Sequence, residues 1–363
     1  MRHDARRSGF TLLELLIAST VMLVVVVSGL AIFSRSNKSS ADQQQYVELQ
    51  HDVRGAMFFL TRDIRMAGAG LPDVYAGWAL EGVDNEATGT AETPDRLCIV
   101  GNIENPLVLR IANYSGSSKN VTIEDYSLER SGYPDSFYLG KIVMVLPNPS
   151  SGCNGSALRE ITGVFHNEPG THEGFQFSTK DLSNINPKHG LRDVCADSDF
   201  FDGGSIIFAD IREYWLDVTG SVSGLTAGQN GYIGGGVGGV LYMTLNGVHY
   251  PLAQNIESLQ FQYNGDFDGD ADGRLDGFQN WSTAWTNAQI GRIREVRIQI
   301  LGRTRDVMAS IGKVASPGLH IYRRPALANT AAAATDDWHK RFLLESSSAI
   351  RNLSMNLYNT GMR

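Results

Sequence analysis

The chain has 363 residues and a formal charge of −8, from 31 Lys and Arg against 39 Asp and Glu. This acidic balance argues against a nucleic-acid-binding protein, because such proteins neutralise phosphates with an excess of basic side chains. A hydrophobic content of 42% excludes a disordered chain and is sufficient for a packed core. Three cysteines are too few for a disulfide framework, and none forms the Cys-x-x-Cys pair of a zinc site.

The N-terminus has the composition of a membrane anchor. Residues 1–9 carry three arginines against one acid, and an apolar run follows over residues 10–33. A helix of roughly 20 residues spans a hydrocarbon core of ~30 Å. The basic flank is expected to stay cytoplasmic. The rest of the chain is therefore predicted to lie on the opposite side of the membrane.

One acidic residue, Glu14, interrupts this apolar run. A carboxylate at the centre of a membrane helix costs on the order of 2.5–3.5 kcal/mol, so it is by default functional and needs a partner. Cleavage after Gly9 would create an amino group on Phe10, one helical turn from Glu14. In a neighbouring subunit this amine could be the partner. The alternative is a plain transmembrane anchor with an accidental Glu.

The segment Arg6-Arg7-Ser8-Gly9-Phe10-Thr11-Leu12-Leu13-Glu14 closely resembles the type III signal sequence of type IV prepilins and type II secretion pseudopilins. The resemblance implies that residues 1–9 are a prepilin leader. It also implies that prepilin peptidase cuts after Gly9 and N-methylates Phe10. In the same way it assigns Glu14 to subunit registration during filament assembly.

Beyond the membrane run the helical pattern continues as an amphipathic half over residues 34–70. Apolar side chains recur every three or four positions and predict one stripe that packs on the body: Tyr46, Leu49, Val53, Ala56, Leu60, Ile64 and Ala67. Charged residues are expected mostly off this stripe: Asp42, Glu48, Asp52, Arg54 and Arg62. Gly68, Gly70 and Pro72 predict the end of a helix of roughly 55 to 60 residues.

The remaining residues, 71–363, are predicted to form one β-rich body. Runs rich in β-branched and aromatic residues alternate with turns, at 96–100, 107–111, 137–146, 205–218, 240–245, 256–263 and 292–303. No regular alternation of strands and helices is present. The expected fold class is therefore α+β and pilin-like, with an antiparallel body packed on the long helix.

An aspartate-rich loop at residues 266–279 predicts a calcium site. Its acids Asp268, Asp270, Asp272 and Asp276, together with Gly273 and the carbonyl of Arg274, match the ligand spacing of an EF-hand loop. Gln279 departs from the pattern, because a bidentate Glu is expected there. Asp266 or a water could complete the coordination. The strand-like flanks suggest a loop between strands, and an acidic turn that binds nothing is the alternative.

Further segments resemble minor pilins of the PilW group: 50–57, 62–68, 252–263, 296–303 and 351–353. The resemblance implies a minor pilin that takes part in initiating type IV pilus assembly, at or near the tip. Its expected partners are other minor pilins, the major pilin and the inner-membrane pilus platform. A GspJ-like minor pseudopilin of type II secretion shares the architecture and is one alternative. A calcium-dependent adhesin at the pilus tip is another.

No catalytic function is expected, because the sequence lacks the G-x-S-x-G, H-E-x-x-H and G-x-x-x-x-G-K-[ST] motifs. In an oxidising periplasm two of the three cysteines could pair. Cys153 and Cys195 are the expected pair, since both lie in loop-like sequence. Cys98 lies in an apolar, strand-like run and is expected to be buried and free.

Overall fold

The structure is a computed structural model. It describes residues 11–71, 77, 79–84, 94–104, 107–114, 120–124, 127–152, 157–166, 173–178, 201–217, 239–268, 274–305, 323–328, 331–332 and 339–351.

A single long helix, α1, runs from Leu12 to Met66 over 55 residues. At about 1.5 Å per residue it is about 80 Å long. Thr11 caps its start, and Gly68 and Gly70 follow its end with φ of 73° and 71°. Glycine adopts this left-handed conformation without steric cost, so the helix stops where the sequence predicts.

The first half of α1 is not covered by the rest of the chain that the structure describes. By length and composition this helix could cross a membrane, and its most apolar 18-residue stretch is 0% buried. The second half packs on the body through the predicted stripe, where Leu49, Val53, Ala56, Leu60 and Ile64 are at most 2% exposed. Asp42 departs from the expectation, because it is 5% exposed and not off the stripe.

The strands of the body are β1 Leu80–Val83, β2 Arg96–Gly101, β3 Val108–Tyr114, β4 Asn120–Ile123, β5 Ile142–Leu146, β6 Ala157–His166, β7 Glu173–Phe177, β8 Ser205–Phe208, β9 Asp210–Asp217, β10 Gly239–Leu245, β11 Val248–Gly265, β12 Phe278–Gln279, β13 Ile293–Arg303 and β14 Arg341–Ala349. Within the described residues three short helices accompany them: α2 Ser127–Ser131, α3 Asp135–Tyr138 and α4 Asn287–Ile290.

The larger β unit is an antiparallel sheet that carries α1. Its strand order is β1-β2-β9-β10-β11-β13-β14, and β12 pairs with β11. Helix α1 contacts β11, β13 and β14. At Gly302 on β13 an added Cβ would come within 2.5 Å of Leu49 and 2.9 Å of Val53, so this strand approaches the helix as closely as it does because it has no side chain there.

The smaller β unit is a closed barrel of β3-β4-β7-β6-β5-β8 with its own apolar core. It lies where α1 ends, because Leu71 packs against an apolar cluster that includes Met144 of β5 and Ile207 of β8. Val100 of β2 belongs to the same cluster, and its carbonyl accepts a hydrogen bond from the Gly68 amide at 3.0 Å. The barrel is therefore at the end of α1 opposite to the uncovered apolar half.

A buried ionic network joins the end of α1 to strand β9. Asp63, 0% exposed, accepts hydrogen bonds from Arg212 Nη1 at 2.6 Å and from the Tyr214 hydroxyl at 2.5 Å. Arg62 Nε donates to its other oxygen at 2.8 Å, and Glu104 pairs with Arg212 Nη2 at 2.6 Å. Burial alone would lower the pKa of Arg212, but the hydrogen bond and charge of Asp63 outweigh it and raise that pKa.

The α+β class, the long helix and the antiparallel body are confirmed. The predicted strand at 137–146 is wrong in its first part, because α3 ends at Tyr138 and β5 begins only at Ile142. Pro134 occupies the N-cap of α3, and Gly140, with φ of 76°, turns the chain into the strand. The division of the body into a sheet and a barrel was not predicted.

Candidate functional site

The first turn of α1 holds the carboxylate that the sequence singles out. Glu14 Oε2 accepts from the Thr11 amide at 3.1 Å and from the Thr11 hydroxyl at 3.2 Å, while the Glu14 amide donates to Thr11 Oγ1 at 3.3 Å. This reciprocal pair is a capping box. It places the carboxylate over the positive end of the helix dipole.

Nothing else in the described chain covers this turn. Glu14 is exposed, as are the apolar residues of the following turns. The carboxylate can therefore reach a cation supplied from outside the chain without first leaving a buried position. Gly9 and Phe10, the predicted processing junction, lie outside the described residues.

The aspartate-rich loop joins two strands, as predicted: β11 ends at Gly265 and β12 begins at Phe278. Within it the structure brings together Asp266, Asp268 and Asp276, whose carboxylate oxygens lie within 4.8 Å of one another. Asp266 is 4% exposed, and the other two are exposed. Asp270 and Asp272 lie outside the described residues.

Asp276 also shapes the loop. Its Oδ2 accepts from the Phe267 amide at 2.6 Å and from the Asp268 amide at 2.9 Å. Two backbone donors therefore fix one oxygen of this carboxylate and leave its second oxygen for another partner. The Arg274 side chain is exposed, and Gln279 pairs with Tyr263 in the sheet.

Three residues that brace the loop were not identified from the sequence. Arg292 approaches Asp266 Oδ1 at 3.6 Å, Gln289 Nε2 donates to the Phe267 carbonyl at 2.7 Å, and Asn264 Oδ1 accepts from the Gly277 amide at 3.1 Å. Thr286 and Gln289 form the capping box of α4. The Thr-x-x-Gln spacing was the available signal for that helix start.

Of the three cysteines, the structure describes only Cys98. Cys98 is free and partly buried on β2. Burial, together with the charges of the neighbouring Glu213 and Glu81 carboxylates, raises the pKa of its thiol to about 12. Cys153 and Cys195 lie outside the described residues, so their pairing stays a prediction.

Comparison with known proteins gives a match at the N-terminus. Residues 4–30 match the family model for the prokaryotic N-terminal methylation motif. The chain is 38% identical over 63 residues to the pilin-like protein PilA3 of Thermus thermophilus, a match that covers 17% of this chain. The matched part spans 27% of the length of that relative.

Among solved structures, a type IV-like pilin from Thermus thermophilus aligns with 62% of this chain and 91% of its own, at 13% identity and a TM-score of 0.23. The methylation motif and the pilin-like relative together indicate a type IV pilin-like protein.

Proposed function

We propose that the protein is a minor pilin of the PilW group that helps to initiate type IV pilus assembly at or near the tip. The observation that carries this proposal is the N-terminal methylation motif at the start of one continuous helix. One half of that helix is apolar and uncovered, and the other half is built into the body. A helix of this kind serves both as a membrane anchor and as a filament spine.

In this proposal prepilin peptidase cuts after Gly9 and methylates the new amino group of Phe10. The single-pass precursor holds its body in the periplasm until the inner-membrane pilus platform moves it into the filament. There the uncovered half of α1 packs against the corresponding helices of other minor pilins and the major pilin. Glu14 pairs with a cation of a neighbouring subunit, which removes the cost of a lone carboxylate among apolar helices.

The position of the barrel supports a place near the tip. Contacts that repeat head to tail propagate a filament. A bulky unit beyond the end of α1 hinders the addition of a further subunit above it. Such a subunit is better suited to begin a filament than to repeat along its shaft.

We further propose that Asp266, Asp268 and Asp276, with Asp270, Asp272 and the Arg274 carbonyl, hold a structural Ca²⁺. The gathering of three carboxylates supports it, since a cation relieves their mutual repulsion. Arg292 offsets part of the negative charge, so the site is expected to be weaker than one without a nearby cation. The proposed role is to stabilise the body and not to catalyse a reaction.

The N-terminus tests the central proposal. Mass spectrometry of the protein from membranes and from sheared surface filaments should find a chain that begins with N-methylated Phe10 in both fractions. An intact Met1, or a cut elsewhere, would refute the proposal and indicate an anchored periplasmic binding domain instead.

Gene deletion separates the alternatives. Loss of pili is expected for the initiating minor pilin. A GspJ-like pseudopilin would instead leave pili intact and stop secretion, and a tip adhesin would leave pili intact and reduce attachment.

The proposed calcium site is tested by scanning calorimetry of the full chain at increasing CaCl₂ concentrations. A ligand at 100 times its Kd stabilises a protein by about 2.7 kcal/mol, so Ca²⁺ should raise the melting temperature and chelation should lower it. Asp268→Asn should abolish both effects, and Asp135→Asn, an exposed carboxylate on the barrel, should retain them. Equal responses of the two variants would refute the site.

A further inference from the structure

A cavity of about 450 Å³ opens beside the edge strand β1. Its lining includes Leu80 and Gly82 of β1 and, from the segment before and within α4, Trp281, Thr283, Trp285 and Asn287. Its volume lies within the range of about 300–1,000 Å³ typical of small-molecule sites. The proposed role in pilus assembly makes no use of it.

Two indole rings form a corner in this cavity. The rings of Trp281 and Trp285 lie 5.3 Å apart with an interplanar angle of 72°. Trp285 stacks on Phe267 at 4.3 Å and 2°, and Trp281 meets the edge of the buried Tyr263 at 5.1 Å. Neighbouring rings therefore hold both indoles in place, so ligand binding would cost little of their conformational entropy.

The close approach of β1 contributes to this fixation. A Cβ at Gly82 would lie 2.6 Å from the Trp281 ring and 2.6 Å from the Tyr263 hydroxyl. Only a residue without a side chain allows the strand to pass there. The glycine thus supports one face of the indole and leaves the cavity beside it open.

Polar groups around the corner are available to a ligand. Within the part of the chain that the structure describes, no hydrogen bond is made by either indole N–H, by the Thr283 hydroxyl or by the Asn287 side-chain amide. None of these atoms is a buried, unsatisfied group, so each is accessible. The four groups offer donors from the indoles and both donors and acceptors from Thr283 and Asn287.

We propose that this cavity binds a saccharide. The C–H face of a sugar ring carries partial positive charge and packs on the negative face of an indole. The hydroxyls on the sugar's rim both donate and accept, which suits the available groups. A purely apolar ligand would leave four polar groups without partners once water is displaced.

A cationic ligand is disfavoured by the position of the acid that lines the cavity. Glu81 also borders the cavity, but it pairs with Cys98 across β1 and β2, and its charge acts on the Cys98 thiol. Alternate residues of a strand point to opposite faces, so Glu81 lies on the face opposite to Gly82 and the two indoles. The corner therefore has no facing carboxylate among the described lining residues.

The test uses the full chain in a zwitterionic detergent without a sugar headgroup. The probes are trisaccharides of glucose, galactose and N-acetylglucosamine, measured by saturation-transfer NMR and tryptophan fluorescence. At least one should bind with a Kd in the millimolar range or tighter. Trp281→Ala should abolish binding, and Asn287→Ala should weaken it by about tenfold, the effect of one lost hydrogen bond.

Trp215→Phe is the matched control, because its indole already donates to Thr244 at 2.9 Å and stacks on Tyr242. It should bind like the unaltered protein. If Trp281→Ala fails to fold by circular dichroism, Asn287→Ala and Thr283→Ala decide. Binding of no trisaccharide, or equal binding by these variants, would overturn the proposal. So would capture of a peptide or an apolar dye that no saccharide displaces. N-terminal processing is measured separately, so failure here leaves the proposed function standing.

Discussion

The two halves of α1 share one backbone but have different surroundings. From Leu12 to about Phe33 the apolar side chains are exposed, and the carboxylate of Glu14 contacts only Thr11 in the described chain. From Asp42 to Ile64 the helix buries a stripe against the sheet, and the carboxylate of Asp63 is enclosed by Arg212 and Tyr214. The first half is therefore incomplete without other molecules, whereas the second is complete within the chain.

This difference separates two roles for acids on one helix. Asp63 has all of its cationic partners inside the protein, so its removal should affect folding. Glu14 has no cationic partner among the described residues, so its removal should affect assembly and leave the fold intact. The contrast fails if substitutions in the two halves have the same effects on folding and on assembly.

The first prediction concerns Glu14, whose substitution should remove the protein from the filament. A partner that relieves about 2.5–3.5 kcal/mol of insertion cost corresponds to on the order of 100-fold in occupancy of the filament. Glu14→Ala should therefore remove the protein from sheared filaments while its level in membranes stays unchanged, measured by quantitative mass spectrometry of both fractions. Thr20→Ala, an exposed substitution in the same half, is the control. Normal incorporation of Glu14→Ala would remove the assembly role.

The second prediction concerns Asp63 in the packed half. Asp63→Ala removes the buried one of the two carboxylates that contact Arg212 at 2.6 Å, and breaking a buried ion pair typically costs about 3–5 kcal/mol. Urea unfolding of the full chain in detergent should show this loss, with a smaller one of about 1–3 kcal/mol for Tyr214→Phe. Arg65→Ala, exposed on the neighbouring turn, should change stability by less than about 0.5 kcal/mol. Equal effects at Asp63 and Arg65 would show that the network does not hold α1 to the sheet.

The features that the sequence could predict depend on residues that are close together in the chain. The capping residues Thr11 and Glu14, the spacing of Leu49, Val53 and Leu60, and the glycines after Met66 act within a few residues, so pattern and helix periodicity suffice. The acids at 266, 268 and 276 are also close in sequence, so the convergence of their carboxylates could be predicted too.

The parts that were missed depend on distant pairings. Asp63 and Arg212 are 149 positions apart, and no periodicity connects them. The closure of the barrel requires β3 to meet β8, nearly 100 residues later. Gln289 and Arg292 reach the aspartate-rich loop only because β13 returns alongside β11. Such contacts follow from the tertiary fold, which the strand patterns alone do not determine.

The third prediction compares the same substitution in the two halves. Leu60→Ala opens a cavity in the core that α1 shares with the sheet and should destabilise the body by about 2–5 kcal/mol. Leu23→Ala removes the same atoms from a side chain that is 64% exposed, and should leave the unfolding of the body unchanged. Urea unfolding followed by circular dichroism measures both. A comparable loss at Leu23 would mean that the two halves of α1 are not energetically separate.

The smallest effect is expected at Asp52, on the packed half but at its edge. Partial burial raises the pKa of its carboxyl above the ordinary value of 3.8; a hydrogen bond from the Gln254 backbone opposes this shift, and the charge of Glu48 adds to it. The folded state therefore holds the proton more tightly than the unfolded state. Stability contributed by this group is present at low pH and falls as the pH rises through the raised pKa.

Asn cannot titrate, so Asp52→Asn should stabilise the protein at pH 7 and have no such benefit at pH 3, by an amount within the roughly 0.5 kcal/mol range of surface substitutions. Thermal unfolding at both pH values measures the difference. Glu48→Gln should reduce the same pH dependence without removing it, because it removes only the repulsion that adds to burial. A gain that is equal at both pH values would come from packing or hydrogen bonding. Such a result would show that the titration of Asp52 does not contribute to the pH dependence of stability.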